Sequence, residues 1–319
     1  MDLRSTVEIS KFLDEEASDP ATPLLSAGVA VGSWVILAYL GGGGFGEVYR
    51  VRHKEVGIVC ALKILKCTDA ASKARFAREA TIIARQGGPG FPRFYELGEF
   101  EQRPYFIMEM LEAKELPSRD CDIATFLHKL CRAVGLLHAQ GFVHRDIKPS
   151  NILFRDNGYP VLVDYGLVKE IQRKGTVENF SGDITKESVA VGTGRYVAPE
   201  QLAGETIEVA ADIHSLGVLI DACFRGALPR RWRGIVHRAT SSLPEHRFES
   251  VESLDRAVRR RFKDLGFFVA FVILIVTALI IGVSQYRINH IDIVEEHQTD
   301  KDKILPIKRN SSDAASDWL

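Results

Sequence analysis

From Trp34 onward apolar and polar positions alternate with a period of two, and SWVILAYL, EVYRVRH and IVCALKIL read as three strands. A glycine cluster, Gly41 to Gly44 and Gly46, separates the first two, so the pattern predicts an antiparallel meander. Over DAASKARFAREATIIARQGG the spacing turns helical: Phe76, Ala80 and Ile83 make an apolar stripe, Asp69 or Ser72 caps its start, and Gly87 ends it. Glu79 falls beside this stripe. Two further strands, FYELGEF (94–100) and PYFIMEML (104–111), joined by the polar EQR, complete a small five-stranded sheet with one helix. The period then turns helical through IATFLHKLCRAVGLLHAQ, with Asp122 as cap and Gly141 as stop. Short strands ILF (152–154) and VLV (161–163) flank the turn signal Asn157-Gly158, and from Gln201 the chain reads as helices with short loops.

A different pattern begins at Leu265. LGFFVAFVILIVTALIIGVSQY carries no charged side chain and reaches roughly 33 Å as a helix, enough to cross a bilayer. Arg256, Arg259, Arg260, Arg261 and Lys263 precede it and only Arg287 follows closely, so the positive-inside rule sets the N-terminal part in the cytoplasm. The basic run also suits the head groups of anionic membrane lipid, or simply a solvated helix face. The expected organisation is a loose N-terminal lead (1–32), a globular domain (33–262), a transmembrane helix (265–286) and a short extracytoplasmic tail (287–319). Localisation follows as the cell membrane, single-pass.

Composition narrows the function classes. With 46% hydrophobic and 26% charged residues the chain is neither disordered nor a disulfide scaffold. Its net charge of −1 argues against a protein built to wrap nucleic acid. The five cysteines form no C-x-x-C pair and read as free thiols of a reducing compartment.

Candidate chemistry lies in four places. Gly41-x-Gly43-x-x-Gly46-x-Val48 stands between two strands, where glycines let backbone N–H groups approach phosphates and Val48 can cover a flat base. In the next strand Ala61 and Lys63 share a face; an inward lysine needs an anion, either a nucleotide phosphate or Glu79. His144-Arg145-Asp146-Ile147-Lys148-Pro149-Ser150-Asn151 is followed by Asp164-Tyr165-Gly166, and two short strands between them return Asp164 beside Asn151. Together these supply a carboxylate base at Asp146, a cation at Lys148, and two oxygen ligands for a hard metal at Asn151 and Asp164.

These residues, in this order, make the domain resemble a eukaryotic-like (Hanks-type) protein serine/threonine kinase, and with the apolar segment it is similar to bacterial membrane-anchored members. The resemblance covers roughly Trp34 to Phe262. It implies an α+β, bilobal protein-kinase-like fold, a small five-stranded antiparallel sheet lobe plus a mainly helical lobe, followed by one transmembrane helix. It also implies ATP and Mg²⁺ as cofactors. Gly41, Gly43 and Gly46 would then cover the ATP phosphates, Val48 and Ala61 pack on adenine, and Glu109, Met110 and Leu111 form the hinge behind a gatekeeper at Met108. Lys63 would hold phosphates and pair with Glu79, Asp146 act as base, Lys148 steady the transferred phosphoryl group, and Asn151 and Asp164 hold Mg²⁺. Gly192 to Glu200 resembles the end of an activation segment, Asp212 to Gly217 a helix bracing the catalytic loop, and Arg247 the partner of Glu200.

The implied activity is ATP-dependent phosphoryl transfer to Ser/Thr hydroxyls of protein substrates in signalling, with self-association favouring phosphorylation in trans at Thr185 or Ser188. The alternative is a membrane-tethered, nucleotide-binding pseudokinase scaffold. Three departures stand out. Tyr165 replaces the usual phenylalanine and its hydroxyl needs a partner. The stretch between Asp212 and Arg247 is short. The segment Arg230-Arg231-Trp232-Arg233 within it reads as a solvated helix start or a docking patch.

Overall fold

The sheet has six strands rather than the expected five: β1 (Ala30–Val31), β2 (Trp34–Gly42), β3 (Gly46–His53), β4 (Val59–Leu65), β5 (Phe94–Phe100) and β6 (Arg103–Glu109). They run in the order β1-β2-β3-β4-β6-β5 with every neighbouring pair antiparallel. The computed structural model describes residues 23–43, 46–170, 194–205, 208–260 and 273–285. At two residues β1 is too short to show an alternation, which is why the sequence conceals it. Within the expected lead 1–32, Leu25 and Val31 are buried against the sheet, while residues 1–22 lie outside the described residues.

The turn between β5 and β6 is tighter than the EQR loop implies. Glu101 and Gln102 both adopt left-handed backbone, with φ of 47° and 63°, as a two-residue hairpin turn requires, so Arg103 already belongs to β6.

Helix α1 (Ala70–Arg85) starts as its sequence dictates, with the Asp69 carboxylate accepting the Ser72 N–H at 3.0 Å. Helix α2 (Asp120–Ala139) begins ahead of the expected cap: Asp122 lies in its first turn and receives the Arg119 guanidinium at 2.7 Å. A carboxylate there still suits the positive end of the helix dipole. Gly141, at φ 85°, turns the chain into β7 (Phe142–Val143). Strands β8 (Ile152–Phe154) and β9 (Pro160–Leu162) then pair antiparallel, and β10 (Lys169–Glu170) returns to β7.

Beyond residue 193 come α3 (Pro199–Leu202), α4 (Val209–Cys223), α5 (Arg230–Ala239) and α6, described over residues 251–260. Only residues 224–229 connect α4 to α5, so no helix projects from that connection. The two helices approach closely at Gly217, where a Cβ would meet Ala239 Cβ at 2.7 Å and Thr240 Cγ2 at 2.8 Å. Trp232 is buried while Arg230, Arg231 and Arg233 are exposed, which makes that basic segment the solvated first turn of α5.

Among the described residues three large apolar clusters, and a small one of Val143, Ala198 and Ala211, hold the domain. One lies on the outer face of the sheet, a second joins sheet, α1 and α2, and the third packs α2, α4, α5 and α6. The chain divides into two units, Met1–Phe262 and Lys263–Leu319. In the second, residues 273–285 form a helix, α7, whose side chains are exposed. The rest of the expected span, 265–272 and 286, lies outside the described residues, and among the described residues no helix is long and apolar enough to cross a membrane.

Candidate active site

Strand register brings the first group of site residues onto one face of the sheet. Gly41 lies opposite Val48, Val48 opposite Lys63 and Lys63 opposite Phe106, while Ala61 lies opposite Met108 in the adjoining row. Cross-strand partners share a face, so the glycine-rich hairpin, Val48, Ala61, Lys63 and Met108 look into the same cleft. The glycines serve different ends: a Cβ on Gly46 would meet the Ile64 carbonyl oxygen at 2.8 Å, whereas Gly43 has open space around it. Gly46 is thus required by strand packing, a demand that Gly43 does not share among the described residues.

At the end of β6 the chain passes through Glu109 and the buried Leu111. Glu109 donates its N–H to the Arg93 carbonyl at 2.8 Å, and its carboxylate takes the Arg155 guanidinium at 2.7 and 2.8 Å. Arg155 also donates to the carbonyls of Pro89 and Phe91. It therefore ties the turn after β8 to the back of this connection, a role with no sequence signal.

Lys63 answers the question its sequence left open. Its Nζ lies 2.6 Å from Glu79 Oε1 and 3.3 Å from Asp164 Oδ1. Burial works against the charge on Lys63, but Asp164 and Glu79 facing it hold its pKa above the ordinary value. Burial likewise pushes Glu79 up, yet at 2.6 Å from an ammonium the ion pair is the form present at neutral pH. The Lys63 ammonium holds the Asp164 carboxyl below its usual range.

The second group is assembled by the β8–β9 hairpin. Ile152 pairs with Leu162, the Val163 N–H reaches the Asn151 carbonyl at 2.9 Å, and Asp164 follows directly. Asn151 Nδ2 donates to the Asp146 carbonyl and to Asp146 Oδ2, both at 2.8 Å, and Lys148 Nζ stands 3.4 Å from the same carboxylate. Burial raises the Asp146 pKa, with Lys148 opposing the shift. Two non-glycine residues here hold left-handed backbone, Arg145 at φ 72° and Asp164 at φ 61°. Such conformations cost roughly 1–3 kcal/mol each and persist only where neighbours enforce them.

For Arg145 the enforcing group is Asp212 on α4. Its carboxylate accepts the N–H of His144 and of Arg145, both at 2.8 Å, and lies 2.8 Å from His138 Nε2. His138, on the last turn of α2, gave no separable signal within an apolar helix. Tyr165 finds the partner its hydroxyl needs in the Leu162 carbonyl at 2.7 Å, while its ring stacks near Phe91 and meets His144 edge-on. Arg247 clamps Glu200 with two bonds of 2.6 and 2.8 Å. Arg145 Nε is buried with no hydrogen-bond partner among the described residues. Thr185 and Ser188, the expected phosphorylation sites, lie outside those residues.

Comparison with known proteins agrees with this geometry. The family model of the protein kinase domain matches residues 34–258. The DNA damage-responsive serine/threonine-protein kinase RqkA of Deinococcus radiodurans is 32% identical over 219 residues, covering 65% of this chain and 32% of that protein. The serine/threonine-protein kinase Pkn1 of Myxococcus xanthus is 32% identical over 233 residues, covering 69% of this chain and 32% of that one. The chain thus spans about a third of the length of the curated relatives it matches. Among solved structures, the Mycobacterium tuberculosis PknI kinase domain aligns with a TM-score of 0.56 at 22% identity, covering 74% of this chain and 99% of that one, a likeness of fold.

Proposed function

The chain belongs to the protein kinase domain family, and from that membership we propose that it is an active, ATP-dependent serine/threonine protein kinase anchored in a membrane. One observation carries the reading: Glu79, Lys63 and Asp164 form a continuous chain of charges into the cleft, and Asn151, whose carbonyl accepts the Val163 N–H just ahead of Asp164, donates its side-chain amide to Asp146. A nucleotide-binding scaffold has no need of that second half.

Asn151 and Asp164 fit Mg²⁺. Its usual protein share is one or two oxygen ligands beside substrate phosphates and water, and the Asn151 amide donates its nitrogen to Asp146, which leaves its side-chain oxygen to a cation. When bound, Mg²⁺ neutralises charge on the phosphate oxygens. The chain's own residues do the rest. Gly41, Gly43 and Gly46 let the hairpin backbone approach the phosphates, Val48 and Ala61 flank the base, and the segment through Glu109 and Leu111 holds its edge. Lys63, kept in place by Glu79, binds the phosphates. Asp146 accepts the proton of the attacking hydroxyl, and Lys148, beside it, steadies the transferred group.

Protein Ser/Thr acceptors follow from the Lys148-Pro149 pattern and from relatives named as serine/threonine-protein kinases. The membrane anchor rests on the apolar run 265–286, helical over 273–285, with Arg and Lys concentrated before it. Phosphorylation in trans between clustered copies, and contact of the basic run with anionic lipid, belong to the same proposal.

The test is transfer from labelled ATP by the full-length chain in anionic vesicles, with generic protein and small-molecule acceptors in parallel. Phosphoserine or phosphothreonine on protein is the expected product. Nucleotide binding with no transfer to any acceptor would leave the scaffold in its place.

A further inference from the structure

Glu47 lies on the apolar outer face of the sheet, in the cross-strand row Gly42, Glu47, Ile64 and Tyr105, with 1% of its surface exposed. A carboxylate in such a place is costly unless its oxygens are engaged. They are engaged by the Leu24 N–H at 2.9 Å and by the Tyr49 hydroxyl, with Lys66 Nζ 3.6 Å away. The Tyr49 hydroxyl in turn accepts the Leu25 N–H at 3.0 Å. Two consecutive backbone groups ahead of β1 are therefore fastened to the strand that leaves the glycine-rich hairpin. The hairpin closes onto the same carboxylate, since a Cβ on Gly42 would stand 3.0 Å from Glu47 Cγ. Lys66 follows β4, the strand that carries Lys63, and Arg103 fixes that strand's end by donating to the Leu65 and Lys66 carbonyls.

We propose that the segment around Leu24 and Leu25 is a brace on the glycine-rich hairpin, and that Glu47 and Tyr49 are the positioning residues through which it sets the hairpin's height over the nucleotide phosphates. The inference rests on the nucleotide-binding reading above and deepens it. The opposite faces of β3 divide the work: Val48 looks into the cleft, and Glu47 and Tyr49 anchor the strand from behind. Neither anchor touches the substrate.

Full-length chain carrying Tyr49→Phe, Glu47→Gln or a deletion of residues 1–25 tests this by amide hydrogen exchange without nucleotide, together with equilibrium binding of a fluorescent ATP analogue and steady-state transfer. The expected result is exchange about three- to tenfold faster at Gly46 to Val48, the effect of one or two lost hydrogen bonds, with parent rates kept along α2. The dissociation constant of the analogue and the KM for ATP should rise by a similar factor while kcat stays within about twofold. Unchanged exchange at the hairpin in Tyr49→Phe, or acceleration spread evenly over the sheet and α2, would overturn the brace. If the parent chain neither binds nucleotide nor transfers phosphate, the kinase reading fails instead, and the nucleotide-free exchange comparison still decides whether the segment braces the hairpin.

Discussion

The wholly buried carboxylate of Asp212 accepts the backbone N–H of Arg145 at 2.8 Å, and Arg145 is held there at a φ of 72° that an arginine seldom adopts. One side chain on α4 thus fixes the backbone immediately ahead of Asp146. Burial alone would raise the Asp212 pKa, but the His138 hydrogen bond and the N–H groups around it bring it below the usual range.

Asp212→Asn should therefore release the backbone strain at Arg145 without touching the nucleotide cleft. Strain of about 1–3 kcal/mol, converted to rate, corresponds to a fall in kcat of about five- to 150-fold. The KM for ATP should stay near its parent value. Steady-state kinetics checks this, and an effect on KM alone would place Asp212 outside the catalytic loop's support.

Lys63 and Glu79 act as one unit at 2.6 Å, so their substitutions should not add. Lys63→Met should cost most of the transfer rate, Glu79→Gln less, and the double variant about as much as Lys63→Met alone. A double-mutant cycle measures this; full additivity would mean that Glu79 works by a route other than Lys63.

Asp146→Asn keeps the shape of the side chain and removes the proposed proton acceptor, which should slow transfer about 10²–10⁴-fold with ATP binding nearly intact. Asp164→Asn removes the partner of Lys63 and, on the proposed function, a charged ligand of Mg²⁺, so binding of Mg²⁺-ATP should weaken as well. Calorimetry with and without Mg²⁺ separates the two.

The hairpin glycines should part ways under the same substitution. Gly46→Ala drives a methyl against the Ile64 carbonyl and should lower the melting temperature, whereas Gly43→Ala meets open space and should alter only nucleotide affinity. Equal melting temperatures for the two variants would contradict this division.

Glu200 and Arg247 give stability a pH dependence. Burial would raise the Glu200 pKa, but the Arg247 hydrogen bonds and charge overcome it and hold the carboxyl low. A depressed carboxylate contributes fully above its unfolded pKa of about 4.3, and that contribution is lost as pH falls from there through the folded value. Glu200→Gln should cost about 3–5 kcal/mol at pH 7, because Arg247 is left buried without a counter-charge, its remaining bonds being to carbonyls, those of Ser241 and Ala210 among them, and less in acid. Denaturant titrations at pH 7 and below pH 4 provide the comparison.

Much of this architecture was legible because its signals are periodic or local. Alternation put Ala61 and Lys63 on one face, and the short hairpin from 152 to 163 returned Asp164 to Asn151. The burial of Glu47 on the outer face of β3, by contrast, gave no sequence signal, because its reason for being there is the Leu24 N–H, 23 residues away in the chain. Arg155 was silent because its partners are two backbone carbonyls and Glu109, 46 residues upstream. Helix α2 starts ahead of Asp122, which instead pairs at i, i+3 with the preceding cap residue Arg119, an arrangement that residue types alone do not distinguish from a cap.

The β8–β9 hairpin has a further consequence, for the order in which the site comes into being. Lys63 and Glu79 are 16 residues apart, and Asp146 and Asn151 only 5, so each pair closes a short loop at small entropic cost. Lys63 and Asp164 are 101 residues apart. During synthesis the Lys63–Glu79 half can form while the ribosome is still making the other, and the hairpin that seats Asp164 folds from its own neighbours. The 3.3 Å contact between Lys63 and Asp164 belongs, with the bonds of Arg155 to Glu109 and Phe91, to the non-local closures whose separation in sequence makes them the later ones expected.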